Sequence, residues 1–188
     1  MDTTRAHRCR GQRISVASFT VLLTVLIWNG ALDVASVRAH PIDLMKPNRA
    51  GPIVRGETTI AELRAWFGRP TDRKIKRVGC VRVIRARWGS KLSVYASRGE
   101  VRIAEAIFVR ARRIRSAEHG DLRMHTSRGL RVGDSEDRLR ELYPRSRGET
   151  HAGHTHYRLR TGDFGAYLMA KVVDGQVVQL EAWPYEFC

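Results

Sequence analysis

Three histidines have the spacing of possible metal ligands. His151, His154 and His156 form an H-x-x-H-x-H pattern, and imidazole nitrogens at such spacing can bind zinc, copper or nickel. The pattern lies in the expected loop between the second helix and the strand after it, where His154 and His156 would point to the same side. The alternative is a solvated loop. We predict neither a metal site nor a cofactor, and keep the three histidines as candidates only.

Acidic residues cluster at Asp134, Glu136 and Asp137, at the start of an expected helix. Paired carboxylates can serve as a general acid and a general base. Acids in the first turn of a helix are also explained by capping and by the helix dipole. We interpret this cluster as structural.

Two further acids, Glu105 and Glu181, recur at equivalent positions inside two apolar segments. They could flank a catalytic site, yet pairing with Arg82 and Arg158 explains them as ion pairs across a sheet. The sequence has no nucleophile elbow, phosphate-binding glycine loop or dinucleotide fingerprint. The prediction is a protein that is not an enzyme, with a metal-dependent enzyme as the third alternative.

The N-terminus has the pattern of an export signal, residues 1–39. Four arginines precede an apolar run from Ile14 to Trp28, and Val37-Arg38-Ala39 offers a small-residue cleavage site. The run of about 15 residues is short for a membrane-spanning helix, although an uncleaved anchor is the alternative. We predict an exported protein, secreted or associated with the cell envelope after cleavage near Ala39.

Cleavage would leave two of the three cysteines, Cys80 and Cys188. In an oxidising compartment an even pair is most simply a disulfide. Because that bond would close a long loop, it would destabilise the unfolded chain by about 4 to 5 kcal/mol. A reactive thiol is the competing interpretation.

The chain is strongly basic, with 34 Lys and Arg against 19 Asp and Glu and a formal net charge of +15. Such a charge favours anionic partners. The alternative function is therefore binding of an anionic cell-envelope polymer or a membrane surface, while no motif indicates a specific nucleic acid. Arginine dominates the basic residues, as codon bias would also produce, so the charge alone does not decide the function.

The second half of the chain resembles the first at a constant offset of 76 residues. Aligning 58–109 with 134–185 gives ten identities, among them Leu63 with Leu139. A unit of this length is too long for a solenoid repeat. We predict a single pseudo-symmetric domain over 56–188, with repeat one at about 56–110, a basic linker at 111–128, repeat two at about 129–188, and an extended lead-in at 40–55.

Each repeat is predicted to open with a short helix. Thr59 and Glu62 form a capping box before an apolar stripe that ends at Gly68. Asp134 or Ser135 is expected to cap the second helix. Both helices are too short to be stable alone, so we expect them to pack on a sheet.

Three strands are predicted after each helix, separated by turns such as Asp174-Gly175. They span 80–88, 91–97 and 100–109 in the first repeat, and 156–161, 165–173 and 176–183 in the second. The predicted fold class is α+β: two tandem repeats of a helix plus a three-strand meander, forming an antiparallel sheet with both helices on one face.

The segments that open the two helices carry a family resemblance. Thr59 to Pro70 reads Thr-Ile-x-x-Leu-Arg-x-Trp-Phe-Gly-x-Pro, and Gly129 to Pro144 reads Gly-Leu-Arg-Val-Gly-Asp-Ser-x-x-x-Leu-Arg-x-Leu-Tyr-Pro. Both are similar to the motif of the SmpA/OmlA (BamE-like) group. The duplicated arrangement over about 55–185 resembles the beta-lactamase inhibitory protein fold, which implies a binding protein. The resemblance implies no interface residues, and the chain lacks the lipobox of the outer-membrane assembly lipoproteins.

One face of the predicted sheet has the composition of a protein-binding surface. In the second strand of each repeat, apolar residues that would pack under the helices alternate with residues that would face away. Aromatic, Met and Arg side chains are enriched in protein interfaces. We therefore predict an exported protein that binds another extracytoplasmic protein through seven residues of this face: Tyr95, Tyr167, Met169, Lys171, Arg82, Arg158 and Arg160. The alternative is a half-solvated sheet face without a partner.

Overall fold

The computed structural model describes residues 43–99, 101–162 and 166–184. In chain order its elements are β1 (Leu44–Lys46), β2 (Arg49–Ala50), β3 (Ile53–Val54), α1 (Ile60–Phe67), β4 (Asp72–Val78), β5 (Val81–Trp88), β6 (Leu92–Ala96), β7 (Ala104–Val109), β8 (Ile114–Ser116), β9 (Gly120–Leu122), β10 (His125–Thr126), α2 (Glu136–Leu142), β11 (Gly148–His151), β12 (His154–Thr161), β13 (Tyr167–Val173) and β14 (Gln176–Trp183). The predicted export signal and Cys188 lie outside the described residues, so the signal and the disulfide stay predictions.

The dominant element is an antiparallel sheet of eight strands, in the order β11-β12-β13-β14-β7-β6-β5-β4. Each half of the chain contributes four consecutive strands, and the halves meet where β14 pairs with β7. A four-stranded sheet in the order β10-β1-β2-β3 and the hairpin of β8 and β9 complete the fold. The only parallel pairing among the described strands joins β1 to β10.

The predicted fold class is wrong. The described chain is mostly β, with fourteen strands in three sheets and two short helices, and not an α+β fold of helix plus three-strand repeats. Two outer strands, β4 and β11, were not predicted. The expected lead-in contains β1 to β3, and the expected linker at 111–128 contains β8 to β10.

The core lies between one face of the eight-stranded sheet and a layer built from the other elements. Leu63 of α1 and Leu139 of α2 are fully buried in the same cluster as Leu92 and Leu168 of the sheet. The small sheet adds Met45 and the β8–β9 hairpin adds buried aliphatic side chains to this cluster. Each helix is held mainly by this packing, because two turns of helix are unstable in isolation.

Local signals at the helix ends are confirmed. The Thr59 side chain accepts a hydrogen bond from the Glu62 amide at 3.2 Å, and the Glu62 carboxylate accepts one from the Thr59 amide at 2.7 Å, which completes a capping box. Ser135, rather than Asp134, caps α2. No helix in the described part of the chain is long and apolar enough to cross a membrane.

The tight turn between β13 and β14 is also confirmed. Asp174 and Gly175 both have positive φ, 48° and 70°, as a two-residue hairpin turn of type I′ requires. The turn fixes the first pairs, Val173 with Gln176 and Val172 with Val177. An irregularity between Lys171 and Val172 then shifts the register by one residue, which places Met169 opposite Glu181.

Candidate functional site

The face of the eight-stranded sheet that points away from the core is the candidate site, and we call it the open face. Every described element outside this sheet contributes to the core on the opposite side or pairs with a strand that does. Strand register identifies the side chains of the open face. Glu181 lies opposite both Phe108 and Met169, and Tyr95 lies opposite Arg85.

Three aromatic rings from adjacent strands meet near the middle of the open face. The ring centroids of Tyr95 and Phe108 are 4.8 Å apart, those of Phe108 and Trp183 are 5.2 Å apart, and those of Tyr95 and Trp183 are 6.1 Å apart. The tilted and edge-on geometry is the favourable arrangement for aromatic pairs. Tyr95 and Trp183 remain half-buried, so this aromatic cluster offers apolar area that a partner could still cover.

Arginines border the cluster on the side of β5. The Arg110 guanidinium carbon lies 5.8 Å from the centre of the Phe108 ring, and its Nη1 donates a 2.8 Å hydrogen bond to Ser93 Oγ. Partial burial, followed by the positive charge of Arg87, lowers the pKa of Arg110. A guanidinium remains charged at neutral pH even so. This edge of the cluster therefore combines positive charge with aromatic surface.

A carboxylate lies on the other side of the cluster. Glu181 is only 5% exposed, and its Oε1 accepts a 2.6 Å hydrogen bond from Gln179 Nε2. His156 Nε2 lies 3.5 Å from the same oxygen. Protonation of His156 would therefore form an ion pair with this buried carboxylate.

The open face includes five of the seven predicted binding residues. Tyr95 belongs to the aromatic cluster, and the Arg158 guanidinium carbon lies 4.1 Å from the centre of the Tyr167 ring. Met169 and Lys171 lie opposite Glu181 and Gln179. These placements bring five predicted residues onto one surface without testing whether they bind anything.

The other two predicted residues lie elsewhere. Arg82 lies on the same side of β5 as the core-facing Ala86 and Trp88, and it is exposed opposite Arg77, near the end of the hairpin. Arg160 follows an irregularity in β12 that places it opposite the core residue Leu168. It lines a cleft of about 490 Å³ together with Arg55 and Glu57.

Sequence reasoning missed the centre of the site. Phe108 and Trp183 lie at the ends of β7 and β14, and their neighbours Ile107, Val109 and Ala182 face the core. Phe108 and Trp183 alternate with these core residues, but both sets are apolar, so the sequence does not show which side of the sheet each one faces. Arg110 was assigned to the basic linker and instead contacts Phe108 and Ser93.

The predicted ion pairs across the sheet do not form among the described residues. Glu181 contacts Gln179 and His156, and Arg158 stacks on Tyr167. Glu105 lies where the pairing of β6 and β7 shifts register.

The histidines lie in a hairpin and not in a loop. His151 ends β11, while His154 and His156 share one side of β12 with ring centroids 4.8 Å apart. No group of three metal-binding side chains with suitable geometry is found within the described ranges. Cys80 is exposed at the turn before β5.

Comparisons with known proteins give little similarity. No protein-family model matches this chain, and no curated protein matches it. One similar solved structure is described as a "putative beta-lactamase inhibitor protein" from Streptococcus mutans. It has 15% sequence identity and a TM-score of 0.25, over 73% of this chain and 88% of the other. Similarity at this level defines neither a family nor a ligand.

Proposed function

We propose that this chain is a non-enzymatic binding protein whose open face holds another protein. The observation that carries the proposal is the aromatic cluster of Tyr95, Phe108 and Trp183 at the middle of a sheet face without a described covering layer. Large aromatic side chains surrounded by polar ones are typical of the residues that dominate binding energy in protein interfaces.

The surroundings of the cluster support the same function. Arg110 on one side and Lys171 on the other provide charge at the border, while Met169 adds an adaptable apolar side chain. Phe108 and Glu181 are already buried by their neighbours. Since these side chains are already fixed in the unbound chain, binding a partner would cost little conformational entropy in ordering them.

The test is capture of exported proteins from the source organism with immobilised variants. We expect Tyr95→Ala/Met169→Ala to bind its captured partner about tenfold or more weakly than the unmodified chain. Ile75→Ala is the control, because Ile75 is 53% exposed and lies on the outer strand β4, away from the open face. Thermal unfolding of each variant separates loss of binding from loss of folding.

Two results would contradict the proposal. One is a folded Tyr95→Ala/Met169→Ala variant that captures the same proteins with unchanged affinity. The other is a loss of binding in the Ile75→Ala variant alone, which would place the interface on the hairpin of β4 and β5.

A second candidate function is binding of an anionic polymer or membrane surface, and the β4–β5 hairpin favours it. Between Asp72 and Trp88 the chain has seven basic residues and one acidic residue. A cleft of about 420 Å³ at this end of the sheet is lined by two isoleucines and four basic residues: Arg73, Lys74, Arg98 and Arg102. Basic and apolar groups side by side fit an anionic surface that also offers apolar area.

Salt separates the two candidates. Binding to an anionic polymer should weaken steeply as the ionic strength rises, because counterions compete for the basic side chains. A complex held by the aromatic cluster should persist. We expect the polymer complex to depend on the β4–β5 hairpin and to be unaffected by Tyr95→Ala.

A further inference from the structure

A cleft of about 510 Å³ lies at the outer edge of the sheet, where β11 stops pairing with β12. The last β11 pair along β12 joins Gly148 to Tyr157, so the outer edge of Arg158 and Leu159 is not covered by β11. The segment that follows α2 closes the other side through Tyr143, Arg145 and Ser146.

The cleft is basic, and none of the described residues that line it is acidic. Arg128, Arg145 and Arg158 are among its lining residues, which include neither Asp nor Glu. None of the three forms a salt bridge with another described residue. Arg158 stacks on the Tyr167 ring, which leaves its positive charge unneutralised. Arginines that line one cleft without a counter-charge repel one another, so an anion bound between them would relieve this repulsion.

A tyrosine that lines the cleft has a buried hydroxyl without a hydrogen-bond partner among the described residues. Tyr143 is 6% exposed, and no described group bonds its hydroxyl. Buried polar groups are nearly always hydrogen-bonded in proteins, and leaving one unpaired is costly. An acceptor in the cleft that reached this hydroxyl would supply the missing partner.

One of the arginines is already held in position. Arg128 Nη1 donates a 2.6 Å hydrogen bond to the Leu142 carbonyl at the end of α2. Its guanidinium carbon lies 5.1 Å from the centre of the Tyr143 ring. These two contacts leave other N–H groups of Arg128 free to bind a ligand, and they reduce the entropy lost on binding.

We propose that this cleft binds a phosphate group. Several guanidinium groups and a tyrosine hydroxyl provide more donors than the two oxygens of a carboxylate need, whereas a phosphate presents three strong acceptor oxygens and up to two charges. Arg158 belongs both to the cleft and to the open face, but none of the three rings of the aromatic cluster lines the cleft, so the proposal does not depend on the function of that cluster.

The volume of the cleft exceeds that of the phosphate group alone, and Pro144 and Leu159 add apolar surface beside the arginines. Both features fit a phosphate that is esterified to a larger molecule. Free phosphate and a phosphate ester share the recognition chemistry, so the experiment includes both as separate arms.

The test is calorimetric titration of the full chain with inorganic phosphate and with glycerol phosphate, at constant ionic strength. We expect saturable binding to one site. Arg145→Gln should weaken it about tenfold. Arg147→Gln should leave it unchanged, because Arg147 is also exposed and lies two residues away but does not line the cleft. Tighter binding of the ester would identify a phosphate on a larger molecule, and equal binding would identify free phosphate.

Tyr143→Phe provides a second and sharper variant. Removing a hydroxyl that bonds no described group should leave the melting temperature unchanged or slightly higher. Phosphate affinity should fall severalfold because one donor is lost. The proposal is overturned if phosphate does not bind saturably, if Arg147→Gln weakens binding as much as Arg145→Gln, or if Tyr143→Phe binds phosphate normally.

Discussion

The two ends of the eight-stranded sheet differ in length of pairing and in charge. At one end β4 pairs with β5 from Asp72 opposite Arg87 to Val78 opposite Val81. At the other end β11 pairs only with the first half of β12, from His154 to Tyr157. The shorter pairing leaves part of β12 open to the segment after α2, which is where the proposed phosphate cleft lies.

The two hairpins at the ends of the sheet also differ in charge. The β4–β5 hairpin has seven basic residues and one acid, whereas 148–161 has one acid, two arginines and three histidines. The first hairpin resists edge-to-edge association, because charged side chains on an edge strand discourage pairing with another chain. Similar places in one sheet thus carry different surface chemistry, and the fold alone does not determine a ligand.

The two ends also differ in how they are joined to the helices. Tyr157 of β12 is buried and its hydroxyl bonds Glu136 of α2, while Arg140 Nη2 donates to the same hydroxyl at 2.8 Å. The residue 76 positions earlier, Val81, is 36% exposed. The second hairpin is therefore tied to its helix by polar contacts that the first does not have at this position.

The largest expected effect tests whether both halves are equally anchored in the core. Leu63→Ala and Leu139→Ala each remove a fully buried side chain from one helix. Each should lower the free energy of unfolding by about 2 to 5 kcal/mol, because a cavity remains beside the sheet. Chemical denaturation measures both. A small loss for one of them would show that its helix packs loosely, and would break the equivalence of the halves.

The second prediction concerns the charge of the β4–β5 hairpin. Arg73→Gln/Lys76→Gln should weaken binding to an anionic polymer or to vesicles of anionic lipid and reduce its salt dependence, because phosphate or carboxylate contacts are lost. Arg115→Gln/Arg123→Gln removes the same charge from exposed positions outside the hairpin. Equal losses in both variants, measured by co-sedimentation over a range of salt, would attribute binding to net charge alone.

The third prediction concerns the hydrogen bonds that join Tyr157 of β12 to α2 in the second half of the chain. Tyr157→Phe should lower the free energy of unfolding by about 1 to 2 kcal/mol, because it removes the bonds to Glu136 and Arg140. Tyr143→Phe is the control, as its hydroxyl bonds no described group. If both substitutions changed the free energy of unfolding equally, the hydrogen bonds of the Tyr157 hydroxyl would contribute nothing specific to stability.

The smallest effect is a dependence of stability on pH. Hydrogen bonds from Tyr157, then from Arg140, lower the pKa of Glu136. A lowered carboxyl pKa stabilises the fold above the pKa of the unfolded chain, and this stabilisation is lost as the pH falls through the folded pKa. Unmodified chain and Glu136→Gln should therefore differ at neutral pH and converge in acid.

Glu62 provides the comparison for this titration in the first half. The Thr59 amide and hydroxyl lower the pKa of Glu62. This carboxylate completes a capping box and makes no hydrogen bond to the sheet within the described part of the chain. The difference in stability between the unmodified chain and Glu62→Gln should depend less on pH than the corresponding difference for Glu136→Gln, since Gln also forms a capping box. A larger pH-dependent effect for Glu62 than for Glu136 would contradict the role given to the hydrogen bond between Glu136 of α2 and Tyr157 of β12.

Features with local causes were predictable from the sequence. The caps of both helices and the Asp174-Gly175 turn follow from a few neighbouring residues. In contrast, β4 has five charged residues in seven and lacks the alternation of a half-buried strand, because it is an exposed edge. The pairing of β1 with β10 joins Leu44 to His125, and such short, distant pairs leave no local pattern.

The candidate site was predictable only in part, because local alternation indicates the face of a residue but not where strand pairing shifts or stops. Alternation in β6 and β13 placed Tyr95, Met169 and Lys171 on one face. Arg160 was misplaced because the irregularity in β12 changes which side the strand presents after Arg158. The phosphate cleft depends on where β11 begins, which sequence periodicity did not indicate.

The most direct test of the central proposal is oxidative footprinting of the chain with and without its captured partner. Tyr95, Met169 and Trp183 are half-buried on the open face, and Trp66 is half-buried on α1 as an internal control. We predict that the partner protects the three open-face side chains from oxidation and leaves Trp66 unchanged. Unchanged oxidation of the open face in a complex that forms would contradict the account.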